Sequence, residues 1–133
     1  MGFFLEFDAE NNTVRLSFEG IVTTADVGGG AYSALRAFVS SRPPCRGIAD
    51  FSQVTTVEAP IHTIKERARL PPAMFGELMF VMVAPQDHVY GLSRMFSLLA
   101  EQTRPHLHVV RTMDEAYGLL GISSPRFSRV DGS

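Results

Sequence analysis

Cysteine is nearly absent from this chain: Cys45 is the only one in 133 residues, so no disulfide can form within it. Lying between Pro44 and Arg46, just ahead of an apolar run, Cys45 reads as a structural thiol. A charge excess of either sign is also missing, since 12 basic residues stand against 14 acidic ones and the net charge is −2. Binding to phosphate backbones wants a basic excess, so nucleic acid is set aside as a main partner. The balanced mixture likewise sets aside an acidic disordered chain. Long apolar runs are lacking: the longest, Leu78 to Ala84, is strand-sized and far short of the ~20 residues of a membrane span. The opening MGFFLEFDAENN has neither the basic start nor the apolar stretch of a signal peptide. Glu6 stands where a myristoylation motif needs Ser or Thr. Together these absences predict a cytoplasmic protein, away from membranes.

Catalytic signatures are missing too. GxSxG does not occur, and Ser93 in YGLSRMF falls in mid-helix. Gly28 to Gly30 follows a strand but matches neither GxxxxGK[ST] nor GxGxxG. His106 and His108 are two apart on an expected strand, with no Cys, Asp or Glu at ligand spacing. His62 and His88 fall in first turns of helices and read as solvated. Asp50 and Asp87 lie at strand ends and could meet at one edge. The plainer account has Asp87 capping a helix and Asp50 binding loop amides. No enzyme, metal or cofactor is therefore expected.

What is present is an ordinary core-building composition, with 45% hydrophobic residues, ten phenylalanines and six methionines. Phe3 to Asp8 and Thr13 to Val22 alternate apolar and polar residues. With the turn Ala9 to Asn12 between them, they predict an antiparallel hairpin in which Asn11 or Asn12 takes a left-handed conformation. Thr23 and Asp26 stand at capping-box distance. Val27, Ala31, Leu35, Phe38 and Val39 follow at helical spacing. Three glycines inside that stripe would cost ~3 kcal/mol relative to alanine, so the helix starts at Ala31 or has a loose first turn.

Gly47 to Phe51 predicts the next strand, Ser52 to Glu58 a polar loop, and Pro60 to Arg69 a helix with Ile61, Ile64 and Ala68 on one face. PPAMFG, Pro71 to Gly76, sets Met74 beside Phe75 and reads either as a cover on the core or as an exposed apolar patch. Leu78 to Ala84 has the pattern of a central strand covered on both faces. A helix follows from His88 to about Thr103, capped by Asp87, with Val89, Leu92, Phe96 and Leu99 inward. Leu107 to Val110 is a short strand. Thr112 and Glu115 form a second capping box for a helix that buries Met113, Ala116, Tyr117 and Leu120 and ends at Gly121.

The order β-β-α-β-α-β-α-β-α predicts an α/β domain over residues 1–122, with a mixed, mostly parallel sheet covered by helices. A polar, frayed tail is expected over 123–133.

This order, together with GIADFSQVTTVEAPIHTI (Gly47 to Ile64), resembles the STAS domain, the family of anti-sigma-factor antagonists and sulfate-transporter tails. Asp50, Phe51 and Ser52 resemble that family's strand end, and Val57 with Glu58 its apolar–acidic pair. Its phosphorylated serine falls on Ala59, which has no hydroxyl. The resemblance implies a STAS-like fold and a non-enzymatic interaction module that docks a protein partner, such as a kinase-like regulator. It implies a surface of Ser52, Thr55, Thr56, Glu58, Ala59, His62 and Lys65, with Glu58 supplying a fixed negative charge in place of a phosphate. A homodimer is an allowed assembly. The alternative is a carrier or sensor of a small apolar, lipid-like ligand, for which the phenylalanines and methionines supply a plastic pocket.

Overall fold

The computed structural model describes residues 2–69, 78–102 and 104–130. Strand β1 (Phe3–Asp8) and strand β2 (Thr13–Val22) form the expected antiparallel hairpin, with Phe3 opposite Phe18 and Asp8 opposite Thr13. Asn12 takes the left-handed conformation of its turn at φ 49°. Thr23 and Asp26 form the capping box: the Asp26 carboxylate accepts from the Thr23 amide at 2.9 Å and hydroxyl at 3.1 Å. The glycines then open a widened turn over Asp26–Gly30, in which Gly29 leaves the helical region. Helix α1 (Ala31–Ser40) starts beyond it and buries Ala31, Leu35 and Val39.

Strand β3 (Arg46–Val57) is more than twice as long as the sequence suggests, and the expected loop Ser52 to Glu58 is strand as far as Val57. Two extra residues bulge out of it against β2, one between the pairs Ser17–Asp50 and Glu19–Gln53, the other between Gly20–Val54 and Ile21–Thr56. The Asp50 carboxylate satisfies the first bulge by accepting from the Ser52 amide at 2.9 Å and from its hydroxyl. The bulges reset the alternation, so Phe51, Val54 and Val57 all join one core cluster at a spacing of three. Gln86 donates its side-chain amide to the Val54 carbonyl.

Helix α2 (Ile61–Arg69) begins after Pro60, whose carbonyl accepts from Thr63 and Ile64. Ile64 and Ala68 are buried, whereas Ile61 is 54% exposed. PPAMFG lies outside the described residues. Strand β4 (Phe80–Val83), helix α3 (Asp87–Leu99), strand β5 (Leu107–Val110) and helix α4 (Met113–Leu120) complete the alternation. β4 is covered on both faces but sits one place from the sheet edge, not centrally. Asp87 does not cap α3: Gln86 holds the cap position, and Asp87 pairs with Arg111 at 2.8 Å in solvent. Leu99 is 47% exposed and buried Ser93 takes a place on the inward face. The α4 cap forms as read, and Gly121 ends that helix at φ 69°.

The tail is not frayed throughout. Strand β6 (Ser128–Arg129) pairs antiparallel with β1, and the Arg126 amide donates to buried Asp8 at 2.8 Å. The six strands run in the order β5-β4-β3-β2-β1-β6, parallel from β2 to β5 and antiparallel around β1.

Each step from β2 to β5 moves one place in the same direction, and right-handed crossovers then put α1, α2 and α3 on one face. Among the described helices only α4 packs on the other, with Ala116 and Leu120 against Ile48, Val81 and Val83. There Arg15 joins strand, helix and tail: it pairs with Glu6 at 2.8 Å, donates to the Tyr117 hydroxyl at 3.0 Å and lies 4.0 Å from the Phe127 ring centre. Burial raises the Tyr117 hydroxyl pKa, with the Arg15 charge and hydrogen bond opposing. Among the described residues no helix is long and apolar enough to cross a membrane.

Candidate functional site

Among the described residues, a recess opens on the face shared by α1, α2 and α3. A cavity of about 220 Å³ lies between these helices and the sheet. Its floor consists of inward side chains of four adjacent strands: Leu16, Phe18 and Val22 on β2, Ala49, Phe51 and Val57 on β3, Phe80 and Met82 on β4, and Leu107 on β5. Phe18 and Phe51 stack with ring centres 5.0 Å apart and planes 3° from parallel. The roof is Ala31, Tyr32 and Leu35 of α1, Ile64 of α2, and Val89, Leu92 and Phe96 of α3. The lining thus runs diagonally from the C-terminal ends of β2 and β3 to the N-terminal ends of β4 and β5.

Among the described residues, the polar groups of the lining are few and unevenly placed. Asp26, held by Thr23, lies just past the end of β2. Ser93 is buried in the roof. Arg67, Arg104 and His106 line the cavity from the C-terminal part of α2 and the connection into β5. Arg104 donates to the carbonyls of Ala68 at 2.9 Å and Arg67 at 3.3 Å, near the negative end of the α2 dipole. The Arg67 guanidinium lies over Tyr32, 4.1 Å from the ring centre. Burial lowers the Arg104 pKa; Tyr32 opposes this and the like charge of Arg67 adds to it. A guanidinium stays cationic nonetheless.

The sequence-predicted partner surface lies elsewhere. Ser52 is half-buried, its hydroxyl taken by Asp50. Thr55 and Thr56 are exposed on β3, with Thr56 beside Ile21 in the ladder. Glu58 is exposed and its amide donates to the Val22 carbonyl at 2.7 Å. Ala59 is half-buried, and His62 and Lys65 are exposed along α2. Exposed Ile61 lies within this stretch, and exposed Ile21 is the ladder partner of Thr56. Asp50 and Asp87 do not form a carboxylate pair, one being bound to Ser52 and the other to Arg111. His106 lines the cavity while His108 pairs with Val81, whose side chain packs on the α4 face. Cys45 is buried beneath α1, and burial raises its thiol pKa, against the nearby charge of Arg42.

The apolar cavity residues escaped sequence reasoning because each one, taken singly, reads as core. Periodicity reports which side chains turn inward, not whether they meet. Compared with known protein families, the chain matches none, and compared with curated proteins it also finds no match.

Proposed function

We propose that this protein is a non-enzymatic carrier or sensor that holds a small apolar ligand between its sheet and helices α1 to α3. The cavity carries this reading. Protein interiors ordinarily pack as densely as organic crystals. A recess of about 220 Å³ lined mostly by apolar side chains forgoes part of that packing. An apolar occupant recovers it, and aromatic walls such as Phe18, Phe51 and Phe96 offer wide contact surfaces.

Native mass spectrometry of freshly purified protein is expected to find a co-purifying small molecule. Decanol added to stripped protein should raise the thermal midpoint by mass action, and the cavity-filling substitution Ala49→Leu should abolish that rise. An unliganded mass together with no decanol shift would reject the reading.

A second reading keeps the STAS-like interaction module, with a kinase-like regulator as partner. It is favoured by the exposure of Thr55, Thr56, Glu58, His62 and Lys65 along one stretch of chain beside exposed Ile21 and Ile61. Ala59 excludes a phosphoserine switch at that position, so docking would be constitutive. Capture of a partner by wild-type protein should fail with Glu58→Lys at unchanged stability; equal recovery removes this surface from consideration.

A further inference from the structure

We infer that the ligand of this cavity is uncharged and carries one internal oxygen, a ketone or a secondary alcohol with apolar groups on both sides, which meets the Ser93 hydroxyl. This rests on the carrier reading and names the ligand class for that cavity.

Val89, Leu92, Ser93 and Phe96 stand at helical spacing on the inward face of α3, and all four line the cavity. An apolar side chain is expected at the third of these positions, yet the chain places a hydroxyl there, in a residue only 3% exposed. Serine in a helix ordinarily turns to solvent or donates to a carbonyl one turn back, as Ser41 at the end of α1 does to Phe38 at 2.8 Å. Ser93 does neither: it is buried, and among the described residues its hydroxyl has no hydrogen-bond partner. The other polar side chains of the lining are half-buried and engaged within the protein. Asp26 is held by Thr23, Arg67 lies over Tyr32, Arg104 donates to the Ala68 and Arg67 carbonyls, and His106 is engaged as well. The buried group for a ligand to pair is therefore a neutral hydroxyl. An ion there would give up its hydration for one hydrogen bond in a mostly apolar lining.

The place of Ser93 sets the place of the oxygen. Helix α3 joins two parallel strands and so runs back along them. Val89 thus lies toward the C-terminal end of β4, and Phe96 lies near Arg104, 5.2 Å from its ring centre, where β5 begins. Ser93 stands between these two ends. A ligand that fills both ends brings its middle to the hydroxyl. Because a hydroxyl both donates and accepts, an internal ketone and a secondary alcohol share this chemistry and are separated by experiment. Phe18, Phe51, Phe80 and Phe96 supply apolar contact around it.

Calorimetric titration of the full chain with benzophenone, benzhydrol, diphenylmethane and decanol tests the assignment. The first three share one frame and differ only at the central carbon, which is a ketone, a secondary alcohol or a methylene. Relative to diphenylmethane, the ketone, the alcohol or both should lose about three- to tenfold in affinity in Ser93→Ala, the range for one hydrogen bond. Taking the ratio in both proteins cancels the different hydration of the ligands. The compound with the larger loss identifies the oxygen. Ser93→Ala should not weaken diphenylmethane binding, and it should not lower the thermal midpoint of the stripped protein, because the hydroxyl holds no other group. A ratio unmoved by Ser93→Ala, a lowered midpoint, or binding of decanol alone would overturn the inference while leaving the carrier reading standing. Failure of all four ligands to bind would overturn both.

Discussion

Asp8 shows how one residue joins distant parts of the chain. It is fully buried, yet its carboxylate accepts from the Asn11 amide at 3.0 Å, the Asn11 side chain at 2.7 Å and the Arg126 amide at 2.8 Å. Burial alone would raise its pKa; the hydrogen bonds from Arg126, Asn11 and Glu10 outweigh that and lower it below the ordinary value of 3.8. A depressed carboxyl stabilises the fold in full above its unfolded pKa, and that contribution is lost as pH falls through the folded value. Asp8→Ala should therefore cost roughly 1.5–3 kcal/mol at neutral pH, a gap that narrows as pH falls below the ordinary carboxyl range. Denaturant midpoints of both proteins across that range provide the check, and a constant gap would contradict it. At this scale the turn was legible, because Asn is among the few residues that take Asn12's left-handed backbone readily. The Arg126 partner was not, being more than a hundred residues away with nothing in its own neighbourhood to mark it.

Elements with local causes were readable and elements with distant causes were not. Helix α4 carries its start and stop in the chain: the Thr112 hydroxyl accepts from the Glu115 amide at 3.1 Å, Glu115 reaches back to the Arg111 amide at 3.3 Å, and Gly121 closes the far end. Thr112→Ala should cost about 1 kcal/mol in chemical denaturation and Thr112→Ser much less. Equal losses for both would mean that the hydroxyl is not what holds the cap. Strand β3 is the opposite case. Val54, Thr55, Thr56 and Val57 have the β-branched composition of a strand, but two bulges break the period of two, so the run reads as loop. Its pairing is set by ten-residue β2, which offers a partner up to Val22. Likewise β6, only two residues long, exists because β1 presents a free edge to it.

For the whole molecule, the decisive fact is the one-directional walk from β2 to β5, which crowds three helices onto one face and leaves α4, among the described helices, on the other. Short helix α2 and the inward Ala31 and Ala49 leave volume there that the larger side chains do not fill. Ala49→Leu puts additional carbons into that space from the floor. Its expected stabilisation of about 0.5–2 kcal/mol without ligand, alongside lost decanol binding, is the trade a functional cavity imposes. A drop in stability would mean that the floor cannot accommodate a larger side chain. By itself the sequence determined the hairpin, the Thr23–Asp26 and Thr112–Glu115 capping boxes, the alternation of strands and helices and most of the inward set of side chains, since each depends on neighbours a few residues apart. Tertiary structure alone decided the bulged end of β3, the docking of β6, the cavity and the gathering of Arg67, Arg104 and His106 at one end of it. Those depend on distances between segments remote in sequence, which inward-facing periodicity does not encode.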